Sequence, residues 1–237
     1  MIPTFQFKEF SVSDDDCGMK LSSDAVLLGA YVQPPQTGRI LDIGCGCGIL
    51  SLMMAQRSQA MIDAVEIDEA AASQAGRNFE DSRWAERLQV FHEPVQEFAT
   101  KNPHAYDGII SNPPYFHNQL GSADVAARQA RHTVALNYCD LCRCASELLT
   151  EKGLFWVILP ASERMIFLST ALQYGLYGKK ILSIFDQADK GPLRIILCLS
   201  KSIIMEATWE ELIIKKANET YTAEYIALTK DFYLGSQ

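Results

Sequence analysis

The sequence has no uninterrupted apolar run of about 18 residues, the length a bilayer-spanning helix requires, so no membrane span is expected. Its start, "MIPTFQFKEFSVSDDDCGMK", lacks the basic segment and apolar run of a secretory signal. Positive charge is scarce: 21 Lys and Arg stand against 29 Asp and Glu, a formal net charge of −8. Phosphate contacts dominate nucleic-acid affinity, so this balance weighs against such a partner. A local basic patch can nevertheless serve on an acidic chain. Cysteines number seven, odd and irregularly spaced. That argues against a disulfide framework and for free thiols in a reducing compartment, the cytoplasm. No internal repeat, low-complexity tract or long linker breaks the chain.

What is present suits one domain with a sizeable core: 237 residues, 48% hydrophobic. From Arg39 onward, apolar runs alternate with helical patterns. "RILDIG", "MIDAVEID", "LQVFH", "YDGIISN" and "GLFWVILP" read as strands. "CGILSLMMAQRS", "EAAASQAGRNFEDS" and "NYCDLCRCASELLTEKG" read as helices, the last closed by Gly153 at a C-terminal cap. Later, "KKILSIFD" and "PLRIILCLS" are strand-like and joined by the polar turn "QADKG". The alternation predicts a mostly parallel sheet with helices on both faces. The final pair reads as a hairpin, which predicts one antiparallel strand at the edge. Residues 1–38 are expected to cap one end of the sheet, 39–200 to form the core and 201–237 to pack on it as a C-terminal extension.

"LDIGCGCG" closes the first of these strands. Gly44, Gly46 and Gly48 let the backbone turn sharply and approach a ligand. In open α/β sheets ligands sit beyond the carboxyl ends of strands, where this turn falls. The dinucleotide fingerprint G-x-G-x-x-G fails, because Ile49 stands at its third glycine position. The spacing is D-x-G-x-G-x-G, with Asp42 leading. A pyrophosphate wants backbone donors without a nearby carboxylate. S-adenosylmethionine carries an ammonium and a sulfonium and no phosphate, so Asp42 can help orient its ammonium through water or backbone. Glu66 ends the second strand, where a carboxylate can accept both ribose hydroxyls. The alternative is a plain tight turn beside a surface acid. These features resemble class I S-adenosylmethionine-dependent methyltransferases, which implies a Rossmann-like fold with a seven-stranded, mostly parallel sheet and one antiparallel strand. In that class an acid often ends the third strand against the cofactor adenine. Here "FHEPVQEF" places Pro94 at that position, so Glu93 or backbone near Val95 takes the role.

The fourth strand ends in "IISNPPYFH". Asn112 offers a side-chain carbonyl acceptor. Pro113 fixes its own φ and restricts Asn112 before it, which aims the Pro113 carbonyl. Two acceptors then face one exocyclic amine, and Tyr115 can stack on its planar ring. The alternative is a turn that merely breaks a strand. The motif resembles the N-P-P-Y signature of amino methyltransferases acting on adenine N6, guanine N2 or a glutamine amide. "MKLSSDAVLLGAY", "SNPPYF" followed by "ARQARHT", and "YTAEYIALTKDFYL" together resemble the bacterial tRNA1(Val) adenine-37 N6-methyltransferases over nearly the whole chain. The resemblance implies S-adenosylmethionine as cofactor and a tRNA substrate whose adenine is flipped out for reaction. It also implies Lys20, Ser23 and Asp24 beside the cofactor.

Basic residues gather at Arg128, Arg131, His132 and Arg143. With Tyr115 and Phe116, Arg128 and Arg131 are the candidates for RNA contact; the alternative is a solvated helix face. A second RNA path would run over Lys179, Lys180 and Arg194. His117 is either an RNA contact or a plain loop histidine. Cys139, Cys142 and Cys144 lack the partners of a four-ligand metal site. They read as packing residues, Cys139 and Cys142 on one helix face and Cys144 turned away. Cys45 and Cys47 fit the glycine turn as small residues. No metal and no obligate protein partner is expected. Rival functions are a protein glutamine N5-methyltransferase, a DNA adenine N6-methyltransferase, and a non-catalytic S-adenosylmethionine-binding protein. The first usually carries an added N-terminal helical domain, the second a target-recognition domain, and the third would lack Asn112 or Pro113.

Overall fold

The computed structural model describes residues 4–18, 20–114, 136–203 and 205–235. The central strands are β3 (Arg39–Ile43), β4 (Met61–Glu66), β5 (Leu88–His92), β6 (Tyr106–Ser111) and β7 (Leu149–Pro160). β8 (Tyr177–Phe185), β9 (Arg194–Ser200) and β10 (Thr208–Ile213) complete an eight-stranded sheet in the order β10-β8-β9-β7-β6-β3-β4-β5. β3, β6 and β9 are buried along nearly their whole length because helices cover both faces.

On one face lie α1 (Ser23–Tyr31), α2 (Ile49–Arg57), α3 (Glu69–Glu80) and the C-terminal α7 (Ala223–Thr229). On the other lie α4 (Val95–Lys101), α5 (Tyr138–Leu148) and α6 (Arg164–Gln173). Each face has its own core. One is built on Leu28, Leu52, Met53 and Ile62, the other on Phe98, Leu141, Phe155 and Phe167. A short hairpin, β1 (Thr4–Gln6) with β2 (Ser11–Ser13), joins the first core through Phe7 and Phe10. Phe7 stacks on Phe10 at 4.7 Å and on Tyr233 at 6.1 Å, so both ends of the chain meet there.

Four features depart from expectation. The antiparallel strand is β9, and it lies between β7 and β8 instead of at the edge. The short turn fixes β8 and β9 as neighbours but says nothing about which of them meets β7. β10 is an additional strand, parallel to β8 at the sheet margin. Among its six residues only Leu212 is buried, so its apolar signal is weak. It is held by Glu210, which accepts from Tyr31 at 2.6 Å and pairs with Lys180 at 2.8 Å. α5 ends at Leu148, and Gly153 lies inside β7. A Cβ there would stand 2.9 Å from the Tyr106 carbonyl and 2.7 Å from Leu149, so the glycine admits a close strand approach at a register shift. On α5, Cys142 and Cys144 are both buried and Cys139 is exposed, because the buried stripe runs Leu141, Cys142, Ala145, Leu148 with Cys144 at its margin. Among the described residues no cluster suits a metal ion, and no helix is long and apolar enough to cross a membrane.

Candidate active site

Parallel register brings four strand ends into one row. Ile43 pairs with Ser111 of β6 and Val65 of β4, and Glu66 pairs with His92 of β5. The Ser111 hydroxyl donates to the Ile43 carbonyl at 2.9 Å, locking β6 against β3 where both strands stop. The glycine turn, Glu66, Glu93 and Asn112 therefore share the carboxyl edge of the sheet.

The turn is folded by backbone bonds. Gly44 N–H donates to the Val65 carbonyl at 2.9 Å, and Gly48 N–H to the Cys45 carbonyl at 2.9 Å. Gly44, Gly46 and Gly48 all have φ in the left-handed region, at 70°, 54° and 82°. A Cβ on Gly44 or Gly46 would meet no heavy atom within 4 Å. The open side of the turn is a cleft in two parts that join at Gly44. One part is lined by Lys20, Ser22, Gly46 and Asn112, the other by Glu66, Glu93, Pro94, Val95 and Gln96.

Asp42 lies beneath the turn, fully buried, and does not reach the cleft surface. One carboxylate oxygen accepts from the Ser51 amide at 3.1 Å and the Ser51 hydroxyl at 2.7 Å, which anchors the start of α2. Burial pushes its carboxyl up to about 7, against those two bonds. Cys45 and Cys47 are not thiolates: burial raises Cys45, and a hydrogen bond with Cys17 followed by burial raises Cys47.

Glu66 is held by three backbone donors: Gly46 at 2.9 Å, Ile67 at 2.8 Å and Asp68 at 3.0 Å. A carboxylate offers about four acceptor sites, so this arrangement leaves about one for a ribose hydroxyl instead of two. Glu93 lines the same part of the cleft and is paired with Lys101. Lys20 bends back, its Nζ donating to the carbonyls of Asp14 at 2.7 Å and Asp15 at 3.1 Å.

Asn112 is half-buried, and Pro113 after it is buried. Asn112 Nδ2 donates to the Ser22 hydroxyl at 3.4 Å, and the same oxygen caps α1 by accepting from Ala25 N–H at 3.3 Å. Ser22, not the exposed Ser23, thus lines the cleft. Asp24 points elsewhere, into an ion pair with Arg194 at 2.7 Å. Ser22, Ile67 and Gln96 were missed by sequence reading. Ser22 had a signal, since any residue of "SSD" can cap a helix. Tyr115, Phe116, His117, Arg128, Arg131 and His132 lie outside the described residues. Of the second RNA path, Lys179 and Lys180 lie near the amino end of β8, at the opposite edge from Asn112, whereas Arg194 begins antiparallel β9 and so stands on the site's edge.

The residues fit S-adenosylmethionine. The cradle over Gly44 and Gly46 has room that a side chain would fill, and the acids around it suit a cation and hydroxyls better than a pyrophosphate.

Comparison with known proteins gives the same direction. The methyltransferase small domain family matches residues 17–166. The tRNA1(Val) (adenine(37)-N6)-methyltransferase of Yersinia pseudotuberculosis serotype O:3 (strain YPIII) is 42% identical over 232 residues, covering 97% of this chain and 92% of that protein. That of Yersinia pestis (strain Pestoides F) is also 42% identical, covering 97% and 93%. Among solved structures, a predicted O-methyltransferase from Agrobacterium tumefaciens superposes with a TM-score of 0.70 at 21% identity, covering 88% of this chain and 96% of the other. The TYW2 protein of P. horikoshii, solved in complex with MeSAdo, gives 0.60 at 14% identity, covering 84% and 71%. At these identities the two structures establish the Rossmann-like methyltransferase fold.

Proposed function

The chain belongs to the tRNA1(Val) (adenine(37)-N6)-methyltransferase family, and from that premise we propose that it methylates the N6 amine of adenine in a tRNA, adenine-37 of tRNA1(Val) being the specific target. The observation that carries this reading is the juxtaposition of Asn112–Pro113 with the glycine turn, locked at one edge by the Ser111–Ile43 bond. The reaction takes place in the cytoplasm. The chain acts as one domain, with 1–38 capping the core of 39–200 and 201–237 packed upon it.

When bound, S-adenosylmethionine supplies an electrophilic methyl group. Gly44, Gly46 and Gly48 shape its cradle, Glu66 accepts from ribose, and Glu93 with backbone near Val95 faces the adenine end. Lys20 and Ser22 border the other end, and Asp42 acts from below by holding the turn to α2. Asn112 and the Pro113 carbonyl accept the two N–H bonds of the target amine. That draws electron density toward its lone pair and orients it for in-line attack, and orientation supplies much of the catalysis. The mechanism needs no base before transfer, and Lys20, which lines this part of the cleft, has its Nζ turned back onto the Asp14 and Asp15 carbonyls. Tyr115 stacks on the base, and Phe116, Arg128 and Arg131 contact the RNA.

The test is direct. The protein is incubated with labelled S-adenosylmethionine and total tRNA from a strain lacking it, and the modified nucleoside is mapped. N6-methyladenosine in tRNA is the expected product. Unlabelled tRNA, with label transferred instead when DNA or a glutamine-bearing protein substrate is supplied in parallel incubations, would overturn the assignment.

A further inference from the structure

Asp24 and Arg194 lie 170 residues apart in sequence, yet Arg194 Nε and Asp24 Oδ2 are 2.7 Å apart. Neither is a loose surface group: their side chains are 14% and 23% exposed, Asp24 the lower. Screening by water is therefore incomplete, and losing one partner leaves the other charge poorly solvated. Arg194 is rigidly mounted. It opens β9, with Pro160 of β7 on one side and Ile184 of β8 on the other. Its Nη1 donates to the Leu193 carbonyl at 3.1 Å.

Asp24 sits in the first turn of α1, two residues after the cap Ser22. The Ser22 hydroxyl contacts Ala25 N–H and Asn112 Nδ2. A chain of contacts thus runs from the central antiparallel strand through Arg194 and Asp24 to the first turn of α1, and from Ser22 to the amide of Asn112. If Asn112 is to present its carbonyl oxygen to an amine, the other end of the amide must be held, and Ser22 holds it.

We infer that Arg194 is a positioning residue for methyl transfer: through Asp24 it fixes the first turn of α1, and through Ser22 it fixes the rotation of the Asn112 amide. The inference rests on the proposed role of Asn112. The role it assigns to Arg194 and Asp24 is carried by the ion pair between them.

The experiment compares Arg194→Gln, Arg194→Lys, Asp24→Asn and the Arg194→Gln/Asp24→Asn double variant. Three quantities are read: single-turnover methylation at saturating tRNA and cofactor, calorimetric affinity for S-adenosylmethionine, and hydrogen exchange of the Asn112 side-chain amide by NMR. A displacement of about 1 Å can cost about 100-fold in rate, so Arg194→Gln and Asp24→Asn should each lose about 10- to 100-fold. Cofactor affinity should stay within about threefold, and the double variant should be hardly worse than the poorer single, because both cut one chain. Arg194→Lys should recover most of the rate, and Asn112 amide exchange should quicken in the Gln variant. Should Arg194→Gln fail to fold, Arg194→Lys and Asp24→Asn decide by the same readings. A near-normal rate, a loss confined to cofactor affinity, or losses that multiply in the double variant would overturn the inference. A wild-type protein inactive on tRNA would instead refute the proposed function, and Asn112 exchange would still decide the positioning.

Discussion

The three glycines of the turn share a left-handed φ but differ in surroundings, so replacing them one at a time should separate stability from binding. Gly48 caps α2 at φ 82°, and an added Cβ would lie 2.4 Å from Phe79 Cε1 and 3.3 Å from Ala75 Cβ. Phe79 is buried on α3 and cannot swing away. Gly48→Ala therefore meets two penalties. The left-handed conformation costs an L-residue roughly 1–2 kcal/mol, and overpacking a close-packed contact costs roughly 1–3 kcal/mol. Together they predict a loss of about 2–5 kcal/mol. At about 2–4 °C per kcal/mol for a chain of this size, Tm should fall by roughly 10 °C. Gly46→Ala meets only the conformational penalty, because its Cβ would enter open space. Its Tm should fall by about 2–8 °C, yet its new methyl projects into the cradle, so affinity for S-adenosylmethionine should drop at least about tenfold, the equivalent of about 1.4 kcal/mol. Thermal unfolding and calorimetric titration read the two effects separately. Equal stability of Gly48→Ala and wild type, or unchanged cofactor affinity in Gly46→Ala, would refute the reasoning.

Asn112→Ala should slow the chemical step about 10²- to 10³-fold, the usual cost of one preorganised polar contact, with a native circular dichroism spectrum and nearly unchanged cofactor affinity; a near-normal single-turnover rate would make the motif a mere turn. Glu66→Ala should weaken binding of S-adenosylmethionine at least about tenfold, since a hydrogen bond to a charged group is worth roughly 1.5–3 kcal/mol, and calorimetry showing no change would remove Glu66 from the site. Asp42 holds its proton in the folded state up to about pH 7, whereas an unfolded Asp releases it near about pH 3.9. Between those values the folded state binds more protons, so this group makes stability fall as pH rises through the window. Asp42→Asn should flatten that fall in a Tm series, and parallel curves for variant and wild type would contradict the burial argument.

The sequence made the cofactor half of the site plain for physical reasons. β3, β4 and β6 are covered on both faces, so each is mostly apolar and buried and stops abruptly at glycine, acid or Asn-Pro. Those stops mark where the backbone leaves the sheet, and hence where a ligand can meet it. The misses have equally specific causes. β10 buries one residue in six and offers little contrast with a loop. Residues "TEKG" suit a helix locally, but they bulge between Leu149 and Leu154, which both pair with β6, and those two pairings draw the segment into the strand. Ser22 and Ser23 are chemically identical, and only the phase of α1 decides which one caps it. The Asp24–Arg194 pair is non-local, and nothing in either neighbourhood announces the other.

A net charge of −8 does not describe the edge an RNA must approach. Glu66, Asp68, Glu69, Glu93 and Glu97 follow β4 and β5, on one side of Asn112. On the other side, past β7, charges are balanced: Arg194 pairs with Asp24, Lys190 with Asp186, and exposed Lys216 follows β10. With strands about 4.8 Å apart, β5 lies three spacings, about 14 Å, from β6. That exceeds the Debye length of about 8–10 Å at physiological salt, so the far acids are largely screened at Asn112. A phosphate backbone meets least repulsion on the β9–β8–β10 side, which sets up a test at constant net charge. Lys216→Glu stands on that edge, four spacings or about 19 Å from β6, and Lys152→Glu stands exposed at the amino end of β7's pairing with β6. Both change the chain by the same charge. Lys216→Glu should weaken tRNA binding severalfold and flatten its salt dependence, while Lys152→Glu should leave both within about twofold at 0.15 M salt, where screening suppresses distant charge. Equal losses from the two variants would mean that total charge, and not its place on this edge, governs how the RNA is held.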